Sequence, residues 1–343
     1  MPVSRRYQLQ SEEGNRLIDR LLDAVGVRPE TRTYFAHMLT TVLKLAEDGT
    51  TRGDLKIVST ALKELRYAFK VFAPYGEVPK VTIFGSARIP SEAPGAVAAR
   101  EFGRRMVQAG WMVVTGAGAG IMGAAQEGAG GERSFGLNIR LPFEQEANPW
   151  IAADPKLITF KYFFTRKLFL IKEASAIALF PGGYGTGDEV FEALTLLQTG
   201  KSAIVPVVLV DVGPMPFWRP WERFVREHLV GQGLIDPTDL SLFRIVDRVE
   251  DAVQEILGFY RVYHSARLVG DAVVLRLHHA LSDATLREIQ HRFGDILKGP
   301  VDHLSGPLPE EEGLYPDLPR LVLPFSRSHY GRLRQLVDLV NTQ

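Results

Sequence analysis

The stretch Leu179-Phe180-Pro181-Gly182-Gly183-Tyr184-Gly185-Thr186-Gly187-Asp188-Glu189 decides how the chain is read. An apolar run from Ala176 to Phe180 ends in a glycine-rich turn, and an amphipathic segment follows. The pattern predicts a buried strand, a turn, and a helix opening near Gly187. Such a junction suits an anion. The first helical turn has free amides, the helix dipole is positive there, and glycines let a phosphate approach the backbone. The spacing matches neither the Gly-x-x-x-x-Gly-Lys-Ser/Thr of a P-loop nor the Gly-x-Gly-x-x-Gly of dinucleotide-binding folds.

Working outward, residues 74–262 alternate strands with helices. Val81–Phe84, Trp111–Thr115, Phe135–Leu141, Leu157–Phe160, Ala176–Phe180, Ile204–Val210 and Phe243–Val246 read as short buried strands. Helices are expected between them, including Pro94–Ala109 and Tyr162–Ala174. This alternation predicts an α/β domain with a doubly wound parallel sheet, whose ligands sit at the carboxyl ends of the strands. Glycine-bearing turns follow Phe84, Thr115 and Phe180, so all three are expected to line one crevice.

Residues 1–73 read as helices, with apolar positions such as Leu17, Ile18, Leu21, Leu22 and Val25 at helical spacing. Pro74-Tyr75-Gly76 reads as a linker. Residues 263–343 read as a smaller α+β unit of ferredoxin-like or ACT-like kind. It has strands at Asp271–Leu277 and Leu321–Phe325, a helix capped by Ser282 that carries Leu286, Ile289, Phe293 and Ile296, and a final helix over Tyr330–Val340. The Pro- and Glu-rich run Gly306–Pro319 is expected to be an exposed loop.

Composition narrows the classes. The 343 residues include 40 basic and 40 acidic side chains, a formal net charge of zero, so no global attraction to a nucleic acid polymer is implied. No apolar run approaches the roughly 18 residues that span a bilayer, so no membrane partner is expected. The absence of cysteine excludes disulfides, thiolate metal sites and a cysteine nucleophile. No apolar core follows the charges of Met1–Tyr7, which predicts no signal peptide and a cytoplasmic protein.

Pro181-Gly182-Gly183-Tyr184-Gly185-Thr186-Gly187-Asp188-Glu189 resembles the Pro-Gly-Gly-x-Gly-Thr-x-x-Glu signature of the LOG (Lonely Guy) family, long mislabelled lysine decarboxylases. Arg166-Lys167 stands where that family has an Arg-Lys pair. The likeness runs from about Val78 to Ile256. It includes Phe84-Gly85-Ser86-Ala87-Arg88 and Thr115-Gly116-Ala117-Gly118-Ala119-Gly120-Ile121-Met122, where alanine at 117 replaces a more usual glycine. Gly136–Pro142 with Glu144-Gln145 is similar to the longer, bacterial type. The resemblance implies a Rossmann-like fold and hydrolysis of a nucleoside 5′-monophosphate to free base and ribose 5-phosphate, with no cofactor and no metal. It also implies a homodimer or higher homo-oligomer with the site near the subunit interface. Arg166 and Glu189 correspond to the catalytic pair, and Gly182, Gly183, Gly185 and Thr186 to the phosphate loop.

The residues admit rival readings. Breaking an N-glycosidic bond needs a carboxylate near C1′, a water, and a grip on the phosphate. Glu189 suits the carboxylate, yet Thr186-Gly187-Asp188-Glu189 also spells a capping box, with Thr186 as N-cap. Glu192 lies one helical turn on, facing ribose or base, or else paired in solvent. Asp188 reads as a first-turn acid favoured by the helix dipole. Arg166 and Lys167 are substrate-binding cations or ordinary surface charges. Gly85, Ser86 and Gly118 are candidate contacts to ribose or phosphate, and Met122 reads as core. His278, His279, His291 and His303 lack metal-ligand spacing, and nothing beside Lys161 or Lys201 marks a pyridoxal-phosphate site. The rival function is a nucleotide-binding sensor or carrier that uses the same crevice without cleavage.

Overall fold

The computed structural model describes residues 7–142 and 146–343. Met1–Arg6, read above for a leader, and Glu144-Gln145 of the family likeness lie outside the described residues. Contacts divide the chain into two compact units, Met1–Tyr67 and Ala68–Gln343.

The first unit holds α1 (Glu12–Val25), α2 (Pro29–Glu47) and most of α3 (Arg52–Phe72). Ser11 starts α1 by accepting from the Gly14 amide, and Gly26 ends it at φ 70°, a left-handed conformation that costs glycine little. Pro29 then opens α2 at a position where no amide is needed. Arg32 ties the two helices by pairing with Asp19 and Asp23.

In the second unit the elements are β1 (Lys80–Phe84), α4 (Pro94–Gln108), β2 (Met112–Thr115), α5 (Ile121–Ala129), β3 (Ser134–Ile139), β4 (Leu157–Phe160), α6 (Phe163–Lys172), β5 (Ala176–Leu179), α7 (Tyr184–Gln198), β6 (Val207–Val210), α8 (Trp218–Phe224), β7 (Arg244–Val246) and α9 (Val249–Phe259). The seven strands form one sheet in the order β4-β3-β2-β1-β5-β6-β7, with every pairing parallel. The doubly wound sheet expected from the alternation is therefore present. Its central strands are mostly apolar and buried along their length because both faces are covered. Val81, Ile83, Ala176 and Ala178 face α4, α5 and α9, where Phe102, Met106 and Ile256 fill the core. On the opposite face Thr82 Oγ1 donates to the Leu170 carbonyl of α6 at 2.7 Å. Phe72, Phe135 and Phe169 stack nearby.

The chain continues through β8 (Tyr263–Val269), β9 (Ala272–Leu277), α10 (Asp283–Arg292), β10 (Asp302–Leu304), β11 (Arg320–Leu323) and α11 (Tyr330–Val340). These strands form a four-stranded antiparallel sheet, β10-β11-β9-β8. The order ββαββα differs from the ferredoxin-like arrangement expected, because Tyr263–Val269 forms a hairpin with β9 where no strand was expected. The helix over 283–292 stops one residue before Phe293, so Phe293 and Ile296 reach the core from beyond its end. Gly306–Pro319 is also not a plain exposed loop. Glu311 within it is fully buried and pairs with Arg276 at 2.7 Å and Arg320 at 3.0 Å. Arg320 in turn donates to the Leu314 and Tyr315 carbonyls, which folds the segment against the sheet. A buried carboxylate needs such partners. Among the described residues, no helix is long and apolar enough to cross a membrane.

Candidate functional site

Parallel strands on either side of β1 and β5 run to helices on opposite sides, which leaves a crevice at their carboxyl ends. A cavity of about 1120 Å³ occupies that place. Its wall draws on all three glycine turns, through Gly85 and Ser86, Gly116, and Gly182 to Glu189, together with Arg166.

The signature helix starts earlier than the sequence pattern suggests. Gly183 is the N-cap and α7 opens at Tyr184. The first bond of the helical ladder runs from the Gly187 amide to the Gly183 carbonyl at 3.0 Å. Thr186 is thus the third helical residue and Glu189 the sixth, so the capping box between them does not form. The amides of Tyr184, Gly185 and Thr186 precede the ladder and are left for another acceptor.

Two kinds of glycine build this turn. A Cβ on Gly182 would stand 2.1 Å from Thr186 Oγ1 and 3.0 Å from the Ser86 amide, so the fold itself requires glycine there. The Ser86 amide donates to the Pro181 carbonyl, and the Ile121 amide to the Ser86 carbonyl, which knits the first and third turns to α5. Gly85 is equally constrained, with a Cβ falling 2.6 Å from Ile121. At Gly183, Gly185 and Gly187, by contrast, nothing lies within 4 Å of where a Cβ would stand. Packing does not demand glycine at those three positions.

Arg166 is positioned by α6 and by a bond from its Nε to the Leu137 carbonyl at 2.7 Å. Burial lowers its pKa, while the charge of Glu189 pulls it up. Arginine remains a cation throughout the physiological range. A Cβ on Gly116 would come within 2.2 Å of Arg166 Nη2 and 2.9 Å of Met122 Sδ. Gly116→Ala is therefore expected to displace the guanidinium and lower turnover by roughly tenfold or more while the protein stays folded. Steady-state kinetics beside a thermal melt check this.

Glu189 is 7% exposed, and its Oε2 is buried without a hydrogen-bond partner. Burial pushes its carboxyl up to about 7. Lys167 and Arg166 oppose the rise, and Glu192 and Asp188 add to it. A carboxyl that titrates near neutrality in a cleft is suited to exchange a proton with substrate or water.

Three expected ligands lie elsewhere. Lys167 is absent from the cavity wall and pairs with Asp188 at 2.7 Å and with Glu192. Glu192 is likewise committed to Lys167. The Gly118 carbonyl accepts from Asn148 Nδ2 at 3.0 Å. Asn148 also holds Ala117, whose φ of 62° is left-handed for a residue with a side chain. Sequence reasoning passed over Asn148 because its partners, the Ala117 and Gly118 carbonyls and Gln126 Oε1, lie 22 to 31 residues away. It also passed over Arg88, although Arg88 directly follows the first glycine-serine turn. Arg88 lines the cavity, and no ion pair engages it among the described residues. Met122, read as core, also lines the cavity. No group of three or more metal-ligating side chains occurs among the described residues.

Residues 122–256 match the family described as possible lysine decarboxylase. A curated relative, cytokinin riboside 5′-monophosphate phosphoribohydrolase of Mycobacterium tuberculosis, is 29% identical over 177 residues, which cover 49% of this chain and 88% of that protein. Among solved structures, the molybdenum cofactor carrier protein of Chlamydomonas reinhardtii is similar at 23% identity and a TM-score of 0.38, over 53% of this chain and 99% of that one. The molybdenum cofactor binding protein of Rippkaea orientalis is similar at 20% identity and a TM-score of 0.37, over 53% of this chain and 96% of that one.

Proposed function

We propose, for a chain that belongs to the LOG family through its parallel-sheet domain, that it hydrolyses the N-glycosidic bond of a nucleoside 5′-monophosphate. The products are the free base and ribose 5-phosphate. The observation that carries this reading is Glu189, a buried carboxylate with an unpartnered oxygen, in one cavity with Arg166 and a helix N-terminus.

The free amides at the start of α7 hold the 5′-phosphate, and their dipole favours its charge. That grip, remote from the reacting bond, positions the ribose. As the C1′–N bond lengthens, the sugar gains oxocarbenium character, which the ionised Glu189 steadies. The departing base nitrogen keeps the bonding pair and takes up a proton from solvent, while Glu189 takes a proton from the water whose oxygen bonds to C1′ and later returns it to solvent. Arg166 presents its guanidinium to the phosphate or to the leaving base. The substrate proposed is AMP or a cytokinin riboside 5′-monophosphate, the latter being the compound in the name of the M. tuberculosis relative.

The test is incubation of the protein with each nucleoside 5′-monophosphate in chelator, with base and ribose 5-phosphate followed by chromatography. Release supports the hydrolase. Nucleotide binding by calorimetry without release would replace it with the carrier reading.

The open glycines supply a further check. Gly185→Ala adds a methyl at a helical position that packing leaves free, so the fold is expected to persist. The same methyl crowds a phosphate drawn to the amides, so KM is expected to rise roughly tenfold with little change in kcat.

A further inference from the structure

Lys167 has the residue type expected of a phosphate ligand, yet its position serves another task. Its side chain is 13% exposed, and its Nζ sits between Asp188 and Glu192. Both carboxylates belong to α7, on either side of Glu189 in sequence. Asp188, Glu189 and Glu192 thus place three acids within little more than one helical turn, while α6 supplies a single nearby ammonium. Like charges at that spacing repel one another.

We propose that Lys167 is a positioning residue, the counter-ion that holds the acids of α7 in place and keeps Glu189 ionised, and that it does not bind the phosphate. The proposal rests on the hydrolase reading only for the use made of that charge.

The charged groups facing Glu189 support it. Burial raises the Glu189 carboxyl, Lys167 is the largest influence lowering it, and Arg166 is the next. Glu192 and Asp188 act in the opposite direction. Arg88, on the turn after β1, lines the same cavity. Lys167 itself titrates above the usual lysine range. Its burial lowers it, and the bonds to Asp188 and Glu192 more than offset that. It therefore stays charged wherever Glu189 titrates. Removing it takes away the strongest counter-charge and also frees two neighbouring acids to repel Glu189. Both changes favour the protonated form.

The experiment is a carbon-13 NMR titration of glutamate carboxyls in the full chain, with the Glu189 signal assigned by its loss in Glu189→Gln. Lys167→Met is expected to move the Glu189 midpoint up by about one unit, a roughly tenfold change in its ionisation constant. Lys167→Arg keeps the charge and is expected to stay near wild type. Asp188→Asn alters an exposed side chain that the fold tolerates, and is expected to move the midpoint down. An unchanged or lowered midpoint in Lys167→Met, or an upward shift in Asp188→Asn, would overturn the proposal. Should Lys167→Met fail to fold, Asp188→Asn alone decides. The acidic limb of the rate profile should follow the same shifts. Wild-type protein that releases no base would refute the hydrolase reading, while the titration would still judge Lys167.

Discussion

Glu189→Gln is expected to fold normally and to lose turnover by on the order of 10³-fold. The structure sharpens both halves of that expectation. Had Glu189 closed a capping box, glutamine would have served nearly as well. Instead α7 starts at Tyr184, and Glu189 makes no bond to its own N-terminus. Its carboxyl is buried with an orphaned oxygen. Such a group stores an unfavourable interaction that function explains and folding does not. The pH behaviour follows from the same burial. The folded carboxyl titrates at about 7, above its ordinary value of 4.5. The folded state therefore binds the proton more tightly than the unfolded chain does. Stability from this group is full below about pH 4.5 and is lost as pH rises towards 7. Glu189→Gln removes that dependence, so the variant should melt higher than wild type at pH 8. Wild-type activity should do the reverse and fall as pH drops below 7, because the acting form is the carboxylate. A variant with normal turnover would remove Glu189 from the chemistry.

Arg166→Lys is expected to lose on the order of 10²-fold in kcat/KM, although the charge is kept. Arg166 has two jobs at different atoms. Nε is spent on the Leu137 carbonyl, and Nη2 lies against the backbone at Gly116. One ammonium cannot anchor to β3 and still reach the cavity from the same helical position. Kinetics that match wild type would show that only the charge matters.

The parallel sheet and the crevice at its strand ends are legible in the sequence. The strand and helix alternation pointed to the parallel sheet, because strands covered on both faces read as short, mostly apolar runs. The signature marked Arg166, Glu189 and the glycine turn. What the sequence hid was local competition. Thr186 and Glu189 have the right types and spacing for a cap, but Gly183 adopts an extended backbone that starts the helix three residues sooner. Lys167 looks identical to a free cation until Asp188 and Glu192 are seen beside it. Glu311, in a stretch of prolines and acids, reads as solvent-facing until Arg276 and Arg320 arrive from two strands of the second sheet. In each case the deciding partner is contributed by tertiary structure.

The strand order carries one more consequence, for how the molecule comes into being. β4 lies at one edge of the sheet and β5 lies beyond β1, so the segment joining them, which includes α6, must cross three strands already laid down. Val81 and Ala176 are brought side by side only by that crossing. Closing so long a loop is slow and entropically costly. Arg166 travels on the crossing segment, and Glu189 follows on the helix just after it. The two residues therefore come together only after β5 has docked beside β1. A chain in which that crossing has not been made carries the turns after β1 and β2 but has neither Arg166 nor Glu189 beside them.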